Sequence, residues 1–347
     1  MATTKEVAVA VKAKPERISG GGEGAMHVPV LLPRCLELLG PALTGPDPAN
    51  PDPANPDRAN PDPVLLDATL GMGGHAEAFL ERFSGLKLVG LDRDREALAI
   101  AADRLSRFGS RVELVHGRHA QLAETLQQIG LSRVNAVLMD LGVSSRQIDS
   151  PQRGFAYSYP APLDMRMDAD DPITAAEILR TYSPQRLRSI LARYGEEPHA
   201  TRITAAIVAA REQGEIGDSA ALVEIVRSAI PAAARRKRGN PAKRTFQALR
   251  IEVNGELTGL PTALDQAISA LVVGGRVTVI SYHSLEDRTV KRRFAAGAKV
   301  SVPDDFPVIP EDARPSLRLL TRGAEVPSSA ELSENSRAAS ARLRAAE

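Results

Sequence analysis

Between Val64 and Asp140 the chain alternates short apolar runs with amphipathic stretches, and few folds accept that pattern. Val64 to Ala68 reads as a short buried strand, followed by a glycine loop and a helix from about His75 to Arg82. Lys87 to Leu91 reads as a second strand ending in Asp92. The helix expected over Arg95 to Phe108 gathers Ala97, Leu98, Ala101 and Leu105 on one face. Arg111 to His116 is a third strand, Gln121 to Ile129 a helix, and Val134 to Met139 a fourth strand ending in Asp140. Strand and helix signals that alternate in this way predict an α/β fold with a parallel sheet.

The alternation then stops. From about Pro151 to Pro241 there are helix signals and no convincing strand. Ser183-Pro184 supplies a cap and a first-turn proline for a helix over Gln185 to Tyr194. Further helices are expected over Ala200 to Glu212, Ser219 to Ile230 and Pro261 to Val272, and strand character returns at Gly275 to Tyr282. A fifth strand needs the first four as partners, so the pattern describes one sheet interrupted by a helical insertion. The expected organisation is a disordered N-terminal extension over residues 1–26, a first sheet part over 27–150, a helical insertion over 151–241, and a second sheet part with a C-terminal tail over 242–347. Within the first part, the Asn-Pro-Asp-Pro-Ala-like repeat at 46–63 reads as a solvated spacer, since proline donates no backbone hydrogen bond.

Composition removes several classes of function. Lysines and arginines number 44 against 43 acids, a formal charge of +1, which excludes a globally basic nucleic-acid coat but not a local basic patch. Cys35 is the only cysteine, so neither an intrachain disulfide framework nor a cysteine-based zinc site can form. No run approaches the roughly 18 to 20 apolar residues of a membrane helix. Met1 to Ala25 lacks the apolar block of a secretion signal, and a cytoplasmic location is the expectation.

The run Leu66-Asp67-Ala68-Thr69-Leu70-Gly71-Met72-Gly73-Gly74-His75 carries the first chemical signal. Glycines at a strand-to-helix turn let backbone approach a ligand, and a helix N-terminus offers free N–H groups. Asp92, ending the second strand, stands where a carboxylate accepts hydrogen bonds from ribose hydroxyls; capping the next helix is its alternative role. Together these point to an adenosine-containing cofactor. Gly71, Gly73 and Ala76 also satisfy a dinucleotide fingerprint, so NAD stays open, while Asp67 four residues before Gly71 leans toward S-adenosylmethionine.

Beyond the fourth strand the motifs become unusual. Asp140-Leu141-Gly142-Val143-Ser144-Ser145-Arg146-Gln147 is followed by Arg153-Gly154-Phe155 and Pro162-Leu163-Asp164-Met165-Arg166-Met167-Asp168. Tyr194-Gly195-Glu196-Glu197, Thr245 to Ile251, Ser281-Tyr282-His283-Ser284-Leu285-Glu286-Asp287-Arg288, Asn335-Ser336-Arg337 and Ser340-Ala341-Arg342-Leu343-Arg344 come later, and His27 to Leu32 earlier. In this order the runs closely resemble the bacterial 16S ribosomal RNA (cytosine-N4) methyltransferases, over nearly everything from His27 onward except the proline repeat. The resemblance implies a class I (Rossmann-like) methyltransferase sheet with an inserted all-helical substrate-recognition domain. It also implies methyl transfer from S-adenosyl-L-methionine to the exocyclic N4 of a decoding-region cytidine in 16S rRNA. The family's cofactor contacts carry onto Gly73, Gly74, His75, Asp92, Asp140 and Gln147, and onto His119, where relatives often have phenylalanine. Arg146 replaces a family proline, and Ser336-Arg337-Ala338 departs from the usual tail.

Cytosine N4 is a poor nucleophile because its lone pair is delocalised into the ring. An acceptor beside N4 can hold one N–H and stabilise the charge that develops during attack. Asp140, or a carbonyl within Leu141 to Ser144, is the candidate acceptor; a structural cap or a cofactor-only ligand is the other reading of Asp140. Phe155 and Tyr157 serve either as base-stacking surfaces or, preferably, as core of the insertion. From Arg227 to Arg250 the chain carries no acid, and Arg235, Arg236, Lys237, Arg238, Lys243 and Arg244 are the candidate RNA-binding residues. One of His283, Glu286 and Asp287 is expected to shape the substrate pocket; the alternative for Glu286 and Asp287 is to cap the helix that follows and pair with Arg288 or Lys291. The competing functions are a nicotinamide-dependent dehydrogenase and a non-catalytic RNA-binding factor. The expected partner is 16S rRNA within the small subunit or its precursor; a homodimer stays open.

Overall fold

A computed structural model of the chain describes residues 29–44, 62–235, 240–300, 310 and 313–347. The expected N-terminal extension (residues 1–26) and nearly all of the proline repeat lie outside the described residues. The chain divides into two units: one comprises everything up to Gly142 together with Gly259–Glu347, and the other is Val143–Thr258.

The first unit opens with helix α1 (Leu32–Leu43), whose start has Leu31 in the left-handed region (φ 55°). Then come β1 (Val64–Asp67), α2 (Gly74–Arg82), β2 (Lys87–Asp92), α3 (Arg95–Leu105), β3 (Val112–His116), α4 (Leu122–Gln128) and β4 (Val134–Asp140). In the second unit follow α5 (Ser145–Asp149), α6 (Ala175–Thr181), α7 (Pro184–Arg193), α8 (Ala200–Gln213), α9 (Ser219–Ala229), α10 (Ala232–Arg235) and α11 (Lys243–Asn254). Helix α12 (Glu256–Ser269) leads back into the sheet through β5 (Leu271–Ser281), then α13 (Ser284–Gly297), α14 (Ser329–Glu334) and β6 (Arg342–Ala346).

The sheet order is β3-β2-β1-β4-β5-β6. All pairings are parallel except β5 with β6, which is antiparallel. Alternate strand residues feed opposite faces. Leu65, Leu88, Leu138, Ile280 and Leu343 pack on one side with Leu39 of α1, Phe79 of α2 and Leu105 of α3. Leu66, Val89, Val137, Met139 and Val279 pack on the other with Leu122 of α4, Leu264 of α12 and Phe294 of α13. The strand order reverses between β1 and β4, and such a reversal opens a ligand crevice at the carboxyl ends of those strands.

Three expectations are corrected here. The helix after β2 stops at Leu105 instead of Phe108, because Gly109 turns to φ +56° within a 3₁₀ segment over Ser106–Arg111. Val272 belongs to β5, not to the preceding helix: Gly274 (φ +75°) and Gly275 form a local irregularity inside the strand rather than a helix end. The sheet also gains β6, which lies in the segment expected to be a C-terminal tail.

The helical unit starts earlier and ends later than the expected 151–241, running over Val143–Thr258. Phe246, Leu249 and Val253 of α11 join Leu187, Ile190, Ile203 and Leu222 in one core. Tyr157 meets the Phe246 ring edge-on at 5.5 Å, so the core reading of Tyr157 holds. The motif loop is held by backbone capture: Asn254 accepts from Met167 N–H and donates to Met165 O, both at 2.8 Å. Gly154 (φ +70°) has no room for a side chain, since a Cβ would lie 2.0 Å from Pro162 O.

Candidate active site

The crevice at the reversal point is built on hydrogen bonds from backbone N–H groups to side chains. Asp67, the last residue of β1, accepts the Thr69 N–H at 3.2 Å, and Thr69 Oγ1 accepts the Asp140 N–H at 2.5 Å. The loop ends of β1 and β4 are therefore tied together. Gly71 and Gly73 take positive φ (54° and 77°), which side-chain-bearing residues adopt only with strain. A Cβ on Gly71 would meet only Thr69 O at 4.0 Å, so open space lies beside the loop. Gly74 starts α2 against Pro29, where a Cβ would come within 2.8 Å of Pro29 Cγ.

Asp92 receives the Gly71 N–H on Oδ2 at 2.7 Å and the Asp94 N–H on Oδ1 at 2.8 Å. A carboxylate has about four lone-pair sites, so each oxygen retains capacity for a ligand hydroxyl. Asp94, not Asp92, caps α3, accepting from Glu96 and Ala97 N–H. The capping alternative for Asp92 therefore falls. His75, buried at the first turn of α2, has Nε2 3.0 Å from Val30 O and Nδ1 3.8 Å from Asp140 Oδ2. The other oxygen of Asp140 accepts the Tyr282 hydroxyl at 2.8 Å.

Burial raises all three carboxyls: Asp67 to about 8, with Asp140 and Asp92 as further repulsive charges, and Asp92 and Asp140 in direction. For Asp140, the charge of His75 and the Tyr282 hydrogen bond oppose that rise. His119 sits in a 3₁₀ turn after β3; burial lowers it to about 4, so the imidazole is neutral near pH 7. Its Nδ1 is buried without a hydrogen bond. Open space beside a glycine loop, a ribose-competent carboxylate and an unsatisfied neutral imidazole along one sheet edge suit an adenosine ligand.

After β5, His283 caps α13 and forms a reciprocal box with Glu286. Buried Glu286 accepts the Tyr282 N–H at 2.9 Å and the His283 N–H at 3.3 Å. The capping alternative is thus realised for Glu286, while Asp287 pairs with Arg344 of β6 at 2.7 Å instead of Arg288 or Lys291.

The sheet unit therefore brings together Gly73, Gly74, His75, Asp92, His119 and Asp140. Gln147 lies in the helical unit, at the third position of α5, where its Oε1 accepts the Ser144 N–H at 3.0 Å. Arg146, the replacement for the family proline, occupies the first turn of α5, and Ser144 caps that helix without it. The basic stretch is only partly free of acids: Arg227 meets Glu224 at 3.2 Å and Arg250 meets Glu256 at 2.8 Å. Arg244 donates to Glu196 O at 3.0 Å, and Lys243 opens α11. Arg235 ends α10, and Arg236, Lys237 and Arg238 lie outside the described residues. Sequence reasoning missed Tyr282 and Thr69 as partners of Asp140. The available signal for Tyr282 was its position straight after the strand that pairs with β4.

A doubly wound sheet with this loop and acids at its reversal point defines a class I methyltransferase architecture. The chain belongs to the MraW methylase family, whose profile matches residues 24–347, and it is a methyltransferase. Relatives named ribosomal RNA small subunit methyltransferase H include one from Streptomyces avermitilis, 54% identical over 92% of this chain and 96% of its own length. One from Nocardia farcinica is 54% identical over 93% of this chain and 96% of its own. One from Kocuria rhizophila is 53% identical over 92% and 94%. An rRNA methylase structure from Streptococcus thermophilus aligns at 13% identity over 83% of this chain and 87% of its own, with a TM-score of 0.34, too loose a likeness to carry an inference.

Proposed function

We propose that the protein transfers the methyl group of S-adenosylmethionine to N4 of a cytidine in the decoding region of 16S rRNA. The observation that carries this reading is Asp140: a carboxylate at the strand reversal with one oxygen held by Tyr282 at 2.8 Å and the other not bound by it. The cofactor, when bound, supplies an electrophilic methyl sulfonium. Gly73 and Gly74, at the turn into α2, would present backbone N–H groups to it, Asp92 would accept the ribose hydroxyls, and His119 would meet the adenosine with a neutral imidazole. Asp140 accepts a hydrogen bond from the N4 amine, turning its lone pair toward the methyl carbon. Asp140 would then take up the surplus proton that N4 releases on methylation. His75 near Asp140 Oδ2 stabilises the ionised form before attack.

The helical unit is assigned to substrate recognition, with Arg235 to Arg238, Lys243 and Arg244 neutralising RNA phosphates. None of the helices among the described residues is long and apolar enough to cross a membrane. A ribosomal substrate sets the reaction in the cytoplasm, on the small subunit or its precursor; a homodimer is compatible with this reading. The deciding experiment is nucleoside mass spectrometry of small-subunit RNA from cells lacking the protein. N4-methylcytidine should disappear and return with the intact gene but not with Asp140→Ala. Undiminished N4-methylcytidine in the deletion overturns the proposal.

A further inference from the structure

The carboxyl edge of the sheet holds polar side-chain atoms that the protein itself leaves unsatisfied. His119 Nδ1, Ser281 Oγ and His283 Nε2 are buried there without a hydrogen bond. Such atoms are costly to maintain unless a ligand completes them. His119 belongs to the end of the crevice where an adenosine ligand is expected. His283 does not: it follows β5, so Asp140 on β4 lies between it and Asp92 on β2.

The chemistry of His283 is fixed by its cap. Nδ1 accepts the Glu286 N–H at 3.4 Å, which requires the neutral ring to carry its proton on Nε2. The side chain is only 7% exposed, and Nε2 lies 3.2 Å from Glu286 Oε1 without alignment for a hydrogen bond. Glu286 Oε2 is already committed to the Tyr282 and His283 N–H groups. The preceding residue, Tyr282, is the one whose hydroxyl reaches Asp140. A carboxylate acceptor and an imidazole nitrogen without an aligned hydrogen bond therefore stand on neighbouring strand ends.

Cytosine presents the matching pair: the N4 amine donates and the adjacent ring nitrogen N3 accepts. We infer that His283 is a specificity-determining residue whose Nε2–H donates to N3 of the target cytosine while Asp140 accepts from N4. The inference rests on the proposed N4 methylation with Asp140 as acceptor. N3 is intrinsically the better nucleophile of the two nitrogens, and a donor on its lone pair leaves N4 as the atom that can attack. Uracil carries a proton on N3 and would meet His283 donor against donor.

His283→Asn separates recognition from capping, because asparagine also accepts the Glu286 N–H but has no donor at the Nε2 position. The variant should keep the thermal midpoint and the cofactor affinity of the wild type. Its kcat/KM on small subunits lacking the methyl group should fall about 10- to 100-fold. Cytidine and 3-deazacytidine, which lacks the N3 acceptor, are then titrated calorimetrically into protein saturated with S-adenosylhomocysteine. The wild type should prefer cytidine by about tenfold or more, and His283→Asn should bind the two alike. A variant that retains the wild-type preference, or a wild type that binds cytidine no better than the analogue or not at all, overturns the assignment. Failure of the underlying reading looks different. If the wild type puts no N4-methyl group on the subunit RNA, the proposed reaction falls. If Asp140→Asn keeps full turnover, the acceptor falls, and the nucleoside preference still judges His283 by itself.

Discussion

Asp67 carries the clearest pH signature of a single residue. Its carboxyl rises from 3.8 to about 8, chiefly through burial. The ligand-free folded protein thus binds this proton more tightly than the unfolded chain does. Folding stability must then fall as pH rises from about 4 to about 8, where the unfolded chain has already released the proton. At about 1.4 kcal/mol per pH unit, the rise from 3.8 to about 8 bounds the loss across the window at about 6 kcal/mol. Asp67→Asn should flatten that slope, which denaturant midpoints at both ends of the window would reveal. For Asp140 the hydrogen bond from Tyr282 favours the ionised form against burial. Tyr282→Phe should therefore move the acid limb of the kcat profile to higher pH, with a plateau loss below about tenfold. The glycine loop and Asp92 were readable in sequence because their geometry is local. The Asp140–Tyr282 contact was not, since the partners are 142 residues apart and only the pairing of Asp140 with Ile280 brings them together.

Among the elements, β6 shows how a short run can escape reading and still matter. Arg342–Ala346 alternates two arginines with apolar residues, and at the end of a chain that pattern looks like a tail. Its register against β5 nevertheless buries Leu343, Ala345 and Ala346 completely. Arg344 anchors it to Asp287, and Glu347 beyond it pairs with Arg276 at 2.8 Å. Leu343→Ala should lower stability by about 2 to 4 kcal/mol, since it leaves a cavity among residues of the first sheet face. Chemical denaturation checks this, and a change under about 0.5 kcal/mol would mean that the edge strand is dispensable. The helices were easier to read. Ser183 caps α7, with Pro184 in its first turn, as the local sequence required. The start of β5 was misread because Gly274-Gly275 imitates a helix terminus, whereas its actual role is an irregularity opposite Val134 and Ala136.

For the molecule as a whole, charge decides how RNA can be engaged. With 44 basic residues against 43 acidic ones, the chain has no global field to draw a polyanion. We propose that binding comes from concentration of charge, and the densest concentration along the sequence is Arg235 to Arg238 with Lys243 and Arg244. The alternative contributors at the ends of the stretch are weakened, because Arg227 and Arg250 already face Glu224 and Glu256. Each phosphate neutralised adds about 0.7 to 0.9 to the slope of log affinity against log salt. Replacing Arg235, Arg236, Lys237 and Arg238 with glutamine should therefore reduce that slope by up to about 3 and weaken RNA binding at low salt. Cofactor affinity should stay unchanged, because Asp92, His119 and the glycine loop belong to the other unit. Filter binding over a salt series, beside calorimetry with the cofactor, measures both quantities. An unchanged slope would mean that the cluster is a solvated loop, and the RNA contact would have to be sought on other basic residues.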